Sequence, residues 1–544
     1  RYQFFSAKLP RGGNCFVCRS NTLVGLERLP RGGHIVAAPY VSASEAAHPE
    51  GDVLGSRLVD DPVKPHVGLD VKWTPNADNA VDLTVNPDFS QVESDTAQIS
   101  ANERFALFFP EKRPFFLEGV DLFQTPIQAL YTRTLTAPHG GGRLTGKSGG
   151  LRYTTLVADD AGGGNVIIPG ANGSSFASQD FGSTVLVGRV KREIGLSFVG
   201  AVLTDRENHG GNGNNRVVGP DFEWRPAGGD SISGQYLVSH SQTPRRPDLA
   251  DEWTGQTLSG HGSLLQWSHT RTHADWYVLY KDFGDGFRAD NGFVPQVGYR
   301  ETNGSTGWTF RPTGFLTRLR AFVNADRQVD RSGALISRNV TPGFGMDSRW
   351  SGFMQFRLID DDIRAGSKTI RRRQFGYIFQ FSPSRTVTQV SLTGNLGQEI
   401  DFANARPGNG PTFNLSATLN PTPHLELALV QNERWLKVDD LSGAGRRLFT
   451  ARVSRVKGTY TFTARLFARG IAQWVSTTRD PSLYIDTVSA KSATLSGSAL
   501  LAYKLNWQSV MFIGYGDDRQ LSDAERLEKL DRQFFVKLSY AFQR

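Results

Sequence analysis

Apolar and polar residues alternate one by one along most of this chain. Leu151, Tyr153 and Val157 are separated by polar or charged neighbours, and the same alternation returns up to the last residues. Since successive side chains of a β-strand point to opposite faces, each such stretch predicts a strand with one apolar and one polar face. Further strands are predicted at 34–43, 65–74 and 80–85 and from about residues 194, 274, 318, 375, 412 and 460.

Alternating strands fit either a soluble β-sandwich or a membrane β-barrel. A sandwich holds about 100 residues, whereas the alternation here continues over roughly 400. The sequence therefore predicts an all-β fold: a large antiparallel up-and-down transmembrane β-barrel of about 24 strands, within a range of about 22 to 26. A barrel that wide has an open lumen unless another part of the chain fills it.

Sequence signals also predict the turns and loops that connect the strands. A charged turn is predicted at 191–193, and a helical turn only at 522–530. Long stretches rich in Gly, Asp and Pro predict extracellular loops. These loops are expected at 159–180, 207–215, 243–257 and 282–295.

The last strand carries its apolar residues on one face. They are Phe534, Val536, Leu538, Tyr540 and Phe542. The pattern resembles the C-terminal signal by which outer-membrane barrels are recognised for insertion, although Gln543 and Arg544 follow the final aromatic residue. This resemblance implies the barrel-assembly machinery as a partner and the bacterial outer membrane as the location.

Residues 86–123 fit no regular period and mix aromatic rings with charges of both signs. Such a segment cannot face lipid, because each ionised group at bilayer depth costs about 2–4 kcal/mol. We therefore expect a plug-like segment enclosed within the barrel lumen, where charges pair and rings fill gaps. Its candidate ligand-binding or gate residues are Glu93, Asp95, Glu103, Arg104, Glu111, Lys112, Arg113 and Glu118. The alternative for the turn PEKRP is an anchor that fixes the segment to the barrel wall.

The stretch NPDFSQVESDTAQISANERFALFFPEKRPFFLEG closely resembles the signature of a bacterial outer-membrane family of unknown function. In that family the barrel-like domain usually follows a carbohydrate-binding family-nine-like domain. Weaker resemblance, in LVGLERL, HIVAAPYVSA, YTRTL and GRLTGKSGG, extends to about Gln242. The resemblance implies a β-barrel in the outer membrane and no established activity.

Composition agrees with a barrel and excludes membrane helices. The chain has 544 residues, of which 38% are hydrophobic, and its mean hydropathy is −0.35. No apolar run approaches the roughly 18 uncharged residues that a membrane helix needs. The chain begins at Arg1, which predicts a mature or truncated product, and full-length relatives are expected to carry an upstream periplasmic domain.

The chain is basic, with a net charge of +8 and a pI near 9.4. Three consecutive arginines at 371–373 would suit nucleic acid, but three consecutive aspartates at 360–362 are interspersed with them. The favoured interpretation is a barrel that contacts outer-membrane lipid and lipopolysaccharide or has a cationic lumen, without a nucleic-acid partner.

The two cysteines, Cys15 and Cys18, lie in an irregular lead-in at 1–32 that precedes the single barrel domain at 33–544. In an oxidising periplasm they favour a small-loop disulfide. A redox pair would need a βαβ setting, and a zinc site would need two further ligands nearby; neither pattern is visible.

Two other motifs are weak. Residues 141–148 match the letters of a phosphate-binding P-loop, but a strand follows where a helix is required, so close approach of the enclosed segment to the wall is the better interpretation. His261, His269 and His273 are close in sequence, yet a turn near Arg271 would separate them. No cofactor and no metal is expected.

Three functions remain open. The first is a channel or transporter-like barrel with an internal constriction, with carbohydrates as candidate solutes. The second is a sealed barrel that anchors a periplasmic domain or a protein partner. The third is a membrane glycoside hydrolase that would use two carboxylates of 86–123, for which salt bridges to Arg104, Lys112 and Arg113 are the alternative role. The sequence favours a protein that is not an enzyme and selects no catalytic residue.

Overall fold

The computed structural model describes residues 33–226, 228–349, 351–439, 443–506 and 509–544, together with Asn21 and Val24. Cys15, Cys18 and most of the lead-in at 1–32 lie outside the described residues, so the expected disulfide stays a prediction. Neither α-helix in the described part of the chain is long and apolar enough to cross a membrane.

Strands dominate the described residues. The first ten are β1 (His34–Pro49), β2 (Leu58–Asp60), β3 (Lys64–Asn76), β4 (Asn79–Val85), β5 (Pro138–Ser148), β6 (Leu151–Asp160), β7 (Gly164–Pro169), β8 (Ser174–Gln179), β9 (Ser183–Ile194) and β10 (Ser197–Asn208). The next ten are β11 (Asn214–Trp224), β12 (Asp230–Gln242), β13 (Thr257–Thr270), β14 (Ala274–Phe283), β15 (Tyr299–Phe310), β16 (Leu316–Asp330), β17 (Leu335–Ser348), β18 (Gly352–Ala365), β19 (Lys368–Phe381) and β20 (Val387–Asp401). The last nine are β21 (Arg406–Asn409), β22 (Thr412–Thr422), β23 (Leu425–Asp439), β24 (Gly445–Thr461), β25 (Leu466–Arg479), β26 (Lys491–Lys504), β27 (Val510–Leu521), β28 (Leu527–Ser539) and β29 (Phe542–Gln543).

Twenty-four of these strands form one closed antiparallel barrel. Each pairs with its neighbour in chain order, and the ring closes because β1 pairs with β3 on one side and with β28 on the other. The short strands β2, β21 and β29 extend the same sheet, whereas β7 and β8 form a separate hairpin. The predicted fold class and strand number are confirmed.

The outer face of the barrel is apolar. In the β10–β11 pair, Leu203 lies opposite Val218 and Val199 lies opposite Phe222, and all four side chains are exposed. The intervening residues, such as Val202 and Thr204, are buried on the inner face. A continuous belt of exposed apolar side chains is the surface that a membrane-spanning barrel presents to hydrocarbon.

The two ends of the barrel differ. The first and last described strands meet at one end, which we call the terminal end, where Ile35 donates a backbone hydrogen bond to Arg544 at 3.0 Å. The connections β3–β4, β5–β6 and β9–β10 are tight turns at this end. All four predicted loops lie at the opposite end, the loop end, although 159–180 also contains the β7–β8 hairpin.

Two local predictions are wrong. Residues 191–193 are part of β9, and the chain turns at Gly195 in the left-handed conformation, because charged residues at a strand end do not break pairing there. Residues 522–530 contain no helix: Leu521 pairs with Leu527, and the stretch forms the β27–β28 hairpin. Tertiary pairing overrides local helix propensity here.

Helical turns occur elsewhere. The α-helices are α1 (Pro114–Leu117) and α2 (Val120–Phe123), both within 86–123. Short 3₁₀-helices span Glu50–Asp52, Thr132–Thr134, His209–Gly211 and Pro481–Leu483.

The arginine and aspartate triplets face each other across the β18–β19 hairpin. Arg371 lies opposite Asp362, Arg372 opposite Asp361, and Arg373 opposite Asp360. Arg372 and Asp361 point inward and are paired at 2.6 Å, whereas Arg371 pairs with Asp360 on the outside at 2.5 Å. The arginine triplet is therefore largely neutralised by its own sheet.

The apolar belt gives a first test. Replacing Leu203→Arg places a charge at the middle of β10, and we expect it to destabilise the lipid-embedded barrel by about 2–4 kcal/mol. The control Ala524→Arg adds the same side chain to an exposed turn and should change stability little. Urea unfolding from lipid vesicles measures both, and equal effects would contradict the outward assignment of Leu203.

Candidate functional site

The segment that includes 86–123 leaves the barrel wall at a sharp turn after β4. Asn86 adopts a left-handed conformation, with φ of 51°, which asparagine tolerates better than most residues. Its side-chain amide donates to the carbonyl oxygen of Val67 at 2.7 Å, and its own carbonyl accepts the hydroxyl of Tyr40. Gly68 leaves room for the Tyr40 ring, because a Cβ there would overlap it. The wall itself therefore turns the chain inward.

The first part of the segment is fastened to inward-facing cations of the wall. Lys537 of β28 donates to the carbonyl oxygen of Asp88 at 2.6 Å. The Glu93 carboxylate accepts from Arg455 at 3.0 Å and from Lys457 at 3.2 Å, both on β24. The Glu93 pKa is lowered: burial alone would raise it, but the charges and hydrogen bonds of these cations outweigh burial.

The segment then crosses the lumen. Asn102 donates to the carbonyl oxygen of Ile400 on β20 at 2.8 Å, and Glu103 pairs with Arg434 on β23. Further along, the carbonyl oxygen of Phe115 accepts from Arg143 on β5 at 2.7 Å. Because β5 lies across the ring from β18–β20, residues 102–115 run from one side of the barrel interior to the other.

Arg104 binds backbone atoms, not a carboxylate. Its guanidinium lies within 3.4 Å of the carbonyl oxygens of Asn172 and Arg364, and it stacks over the Phe402 ring at 4.5 Å. The carbonyl oxygen of Arg104 accepts from Ser174 at 2.8 Å. Residue 104 is thus the point where the β7–β8 hairpin, β18 and the segment meet.

Glu111 and Arg113 form a compact internal clamp. One carboxylate oxygen accepts from the backbone amides of Lys112 and Arg113 at 2.9 and 2.8 Å; the other accepts from the Arg113 guanidinium and the Thr132 hydroxyl, both at 2.7 Å. Arg113 also donates to the carbonyl oxygen of Leu135 at 2.6 Å. Burial would raise the pKa of Glu111, but the Arg113 and Thr132 contacts lower it to about 2.

The remaining sequence candidates also have partners. Asp95 pairs with Arg133 and, at 3.2 Å, with Lys112. Glu118 pairs with Lys72 and lies 3.7 Å from Arg143. The structure therefore divides the eight predicted residues among wall contacts, the Glu111 clamp and the Asp95 ion pairs with Lys112 and Arg133, and does not gather them into one pocket.

Apolar packing fills the interior beside β5–β12. Phe116, Phe123, Leu130 and Leu135 pack against Leu156, Val185 and Val187 of the wall. A second cluster joins Ile127 and Ala129 to Phe287, Val294 and Val297 of the loop between β14 and β15. This half of the lumen is occupied by the segment together with residues folded in from the loop end.

An open cleft of about 520 Å³ remains on the segment surface. It is lined by Phe108, Leu117, Gln124, Gln128 and Tyr131, among others. The rings of Phe108, Tyr131 and Phe293 lie 5.1–5.2 Å apart, yet Phe108 is still 43% exposed. The side-chain amide groups of Gln124 and Gln128 make no hydrogen bond to another residue of the described chain.

The P-loop-like stretch and the three histidines, which gave only weak sequence signals, have structural roles. Residues 141–148 are part of β5, and a Cβ at Gly141 would lie 3.5 Å from the Phe115 ring, so small residues there let the segment approach the wall. His261, His269 and His273 contact Asp282, Asp230 and the carbonyl oxygen of Thr309, respectively. The described residues contain no cluster of ligands that could hold a metal ion.

Sequence analysis missed the wall partners: Arg143, Arg434, Arg455, Lys457 and Lys537. For Lys537 a sequence signal exists, because its neighbours Val536 and Leu538 are apolar and the alternation places the lysine on the inner face. For Arg434 the signal is weaker, because Glu433 precedes it. Which acid each cation would meet could not be read from the sequence, because Glu93 and Arg455 are 362 residues apart.

A family model described as "Domain of unknown function (DUF5916)" matches residues 37–138, which include the whole of 86–123. No curated protein sequence matches the chain.

Several solved structures are similar in fold at low identity. The copper transporter OprC is 12% identical, with 95% of this chain and 81% of that chain covered and a TM-score of 0.43. The FrpB iron transporter from Neisseria meningitidis is 11% identical, with 74% and 78% covered and a TM-score of 0.46. The siderophore receptor PirA from Acinetobacter baumannii is 9% identical, with 95% and 81% covered and a TM-score of 0.43. Such values transfer no function to this chain.

The Glu111 clamp gives a pH-dependent prediction. Because the folded-state pKa of about 2 lies below the ordinary 4.5, the clamp stabilises the folded protein above pH 4.5, and this contribution is lost as the pH falls towards 2. Glu111→Gln should therefore destabilise the protein by about 3 kcal/mol at neutral pH and much less near about pH 2.5.

Thermal unfolding in detergent, followed by circular dichroism at both pH values, measures this difference. Glu50→Gln, at an exposed turn, is the matched control and should leave the melting temperature unchanged at either pH. A Glu111→Gln penalty that stays the same at both pH values would show that the lost packing, and not the ion pair, is responsible.

Proposed function

We propose that this protein spans the bacterial outer membrane as a channel or transporter-like barrel whose lumen is narrowed by residues 86–123. The observation that carries the proposal is that the segment crosses the lumen: Asn102 bonds to β20 on one side of the barrel, and Phe115 bonds to β5 on the opposite side. A ring of 24 strands is wide enough to conduct solutes unless something inside it restricts them.

The outer face supports this location. Its apolar belt suits the hydrocarbon layer, and the charged residues Arg338, Asp362 and Arg371 lie outward near the loop end of β17–β19. We propose that this charged rim contacts lipopolysaccharide. We also propose that the barrel-assembly machinery recognises the outward apolar residues at the end of β28, including Phe534 and Leu538.

A sealed anchoring barrel is the second candidate. It is favoured by the apolar clusters beside β5–β12, which fill that half of the lumen with Phe116, Phe287 and their neighbours. Such a barrel would show negligible conductance and would co-purify with a periplasmic or outer-membrane protein partner in fixed proportion.

A glycoside hydrolase is the least supported candidate. One of its two carboxyl groups must hold a proton near neutral pH in order to act as the general acid. Burial alone would raise the pKa of Glu111, but the Arg113 and Thr132 contacts lower it to about 2. Glu118 pairs with Lys72 and lies 3.7 Å from Arg143, so salt bridges account for this carboxylate without a catalytic role.

Replacing residues 102–117 by a Gly-Ser linker of equal length tests the constriction. The linker keeps the span across the lumen but removes the anchors and rings, so single-channel conductance in planar bilayers should rise by about twofold or more. A control linker in the exposed residues 522–526 should leave conductance unchanged. Equal conductance of wild type and the 102–117 variant would refute the constriction, and no conductance in either would favour the sealed barrel.

Carbohydrate is our proposed solute class, and the cleft beside Phe108 supports it. An exposed aromatic face offers a stacking surface for a sugar ring, while the amides of Gln124 and Gln128 can hydrogen-bond its hydroxyl groups. The Glu111 carboxylate in the cleft wall is already occupied by Arg113 and Thr132, so the cleft suits a neutral ligand.

Phe108→Ala should weaken sugar binding about tenfold or more, because it removes the stacking surface. Isothermal titration with glucose, maltose and cellobiose measures the effect, and Phe315→Ala, an exposed ring in the β15–β16 turn, is the control. Absence of binding by all three sugars to the wild-type protein would remove carbohydrate as the solute and leave the channel proposal standing.

A further inference from the structure

Two cavities lie one after the other along the inner face of β28. The upper cavity, nearer the loop end, measures about 480 Å³ and is bounded by residues 90–94 of the segment and by the inner faces of β25–β28. The lower cavity, nearer the terminal end, measures about 220 Å³ and is bounded by β1, β3–β5 and α1. Phe535 lines the upper cavity and Lys537, two residues further along β28, lines the lower one. Together the two cavities extend along β28 from the loop end towards the terminal end of the barrel.

Small side chains keep the upper cavity open. Its wall includes Ser496, Ser498 and Gly516, which fill little of the space that larger residues would take. The Phe535 ring lies flat on the wall, because Gly514 opposite has no Cβ and a Cβ at that position would overlap the ring. The ring is 8% exposed and therefore does not project across the cavity.

Lys537 spans the boundary between the two cavities. From its position on the wall it reaches the segment, where it donates to the carbonyl oxygen of Asp88 at 2.6 Å and to the side-chain oxygen of Gln91 at 3.2 Å. Its ammonium group also lies 4.3 Å from the centre of the Tyr40 ring. A solute that passes from one cavity to the other must displace this bridge between Lys537 and the segment or pass around it.

The upper cavity is acidic. Asp518 and Asp531 lie directly opposite each other on β27 and β28, and neither carboxylate has an ion-pair partner among the described residues. Arg469 also lines the cavity and lies 3.8 Å from Glu93, which pairs more closely with Arg455 and Lys457. Two unpaired carboxylates facing a water-sized space attract cations.

The opposite half of the lumen contains the cleft beside Phe108, but its buried part is apolar. Beside β5–β12 the segment and the loop between β14 and β15 are joined by buried apolar clusters that contain Phe116, Phe123, Ile127 and Phe287. Such close packing leaves no room for hydrated ions. The polar cavities along β28 are therefore the better route past the segment.

We propose that small hydrated cations cross this barrel between residues 88–94 and strands β25–β28, with Asp518 and Asp531 as the selective site and the Lys537–Gln91 bridge as the narrowest point. The inference rests on the proposed channel function and adds the route and its ion preference.

Cysteine accessibility tests the route. In a background with Cys15→Ser and Cys18→Ser, Ser498→Cys places a thiol in the upper cavity, and modification by trimethylammonioethyl methanethiosulfonate should lower single-channel conductance by about half or more. Ser305→Cys, on the inner face of β15, is the matched control and should be indifferent to the reagent. Block through Ser305→Cys alone, or no block through Ser498→Cys, would overturn the route.

Two further variants test the bridge and the selective site. Lys537→Met should raise conductance by about twofold, and Lys281→Met, an inward lysine on β14, should not. Loss of the lysine also removes a contact between the wall and the segment. Gln91→Ala therefore serves as a second variant that widens the same constriction and leaves Lys537 in place. The double change Asp518→Asn and Asp531→Asn should lower the potassium-to-chloride permeability ratio by about threefold or more.

The outcomes separate the two proposals. A wild-type protein without conductance would refute the channel itself. A conducting wild type in which the Lys537, Gln91 and Ser498 variants behave like their controls would retain the channel and refute this route. An unchanged permeability ratio in the aspartate double variant would refute the selective site.

Discussion

Closure of the backbone hydrogen-bond ladder is the constraint on which the rest of this structure depends. Hydrocarbon offers no partner to an open strand edge, so a membrane sheet must close on itself, and here β1 closes it by pairing with β28. Once the ring is closed, each side chain of a strand points either outward to lipid or inward to the lumen. Apolar residues such as Leu203 take the outside, and the Arg189–Asp221 pair, at 2.5 Å, is buried on the inside. The outward charges of β17–β19 lie near the loop end.

Inward charges then determine how the segment lies. Lys537, Arg455 and Arg434 project from three separate strands, and the segment brings Asp88, Glu93 and Glu103 to them in chain order. The net contribution of such pairs to stability is small, but removing one partner leaves an uncompensated charge and is costly. The pairs therefore fix a position more than they add stability, which is the property a fixed constriction needs.

Alternation in the sequence was sufficient to predict the closed barrel and its strand number, since lipid outside and water inside impose it on every strand. Local signals were less reliable: charged residues at 191–193 belong to β9, and residues 522–530 pair as strands despite their helix-forming composition. The candidate residues of 86–123 could be named from their composition. Their wall partners could not, because contacts such as Glu93 with Arg455 join residues hundreds of positions apart.

The place of the segment in the chain limits how the barrel can open. A plug formed by a separate terminal domain can move out as a unit, whereas this segment leaves from β4 and returns through β5, two neighbouring strands paired from Val85 with Gly140 onward. Both of its ends are thus held in the hydrogen-bonded wall, so it cannot leave as a separate body, and moving it out of the lumen would require breaking its contacts with Lys537, Arg455 and Arg434. If the barrel conducts solutes, they would pass beside the segment, and the spaces between it and the wall, rather than its release, would determine permeability.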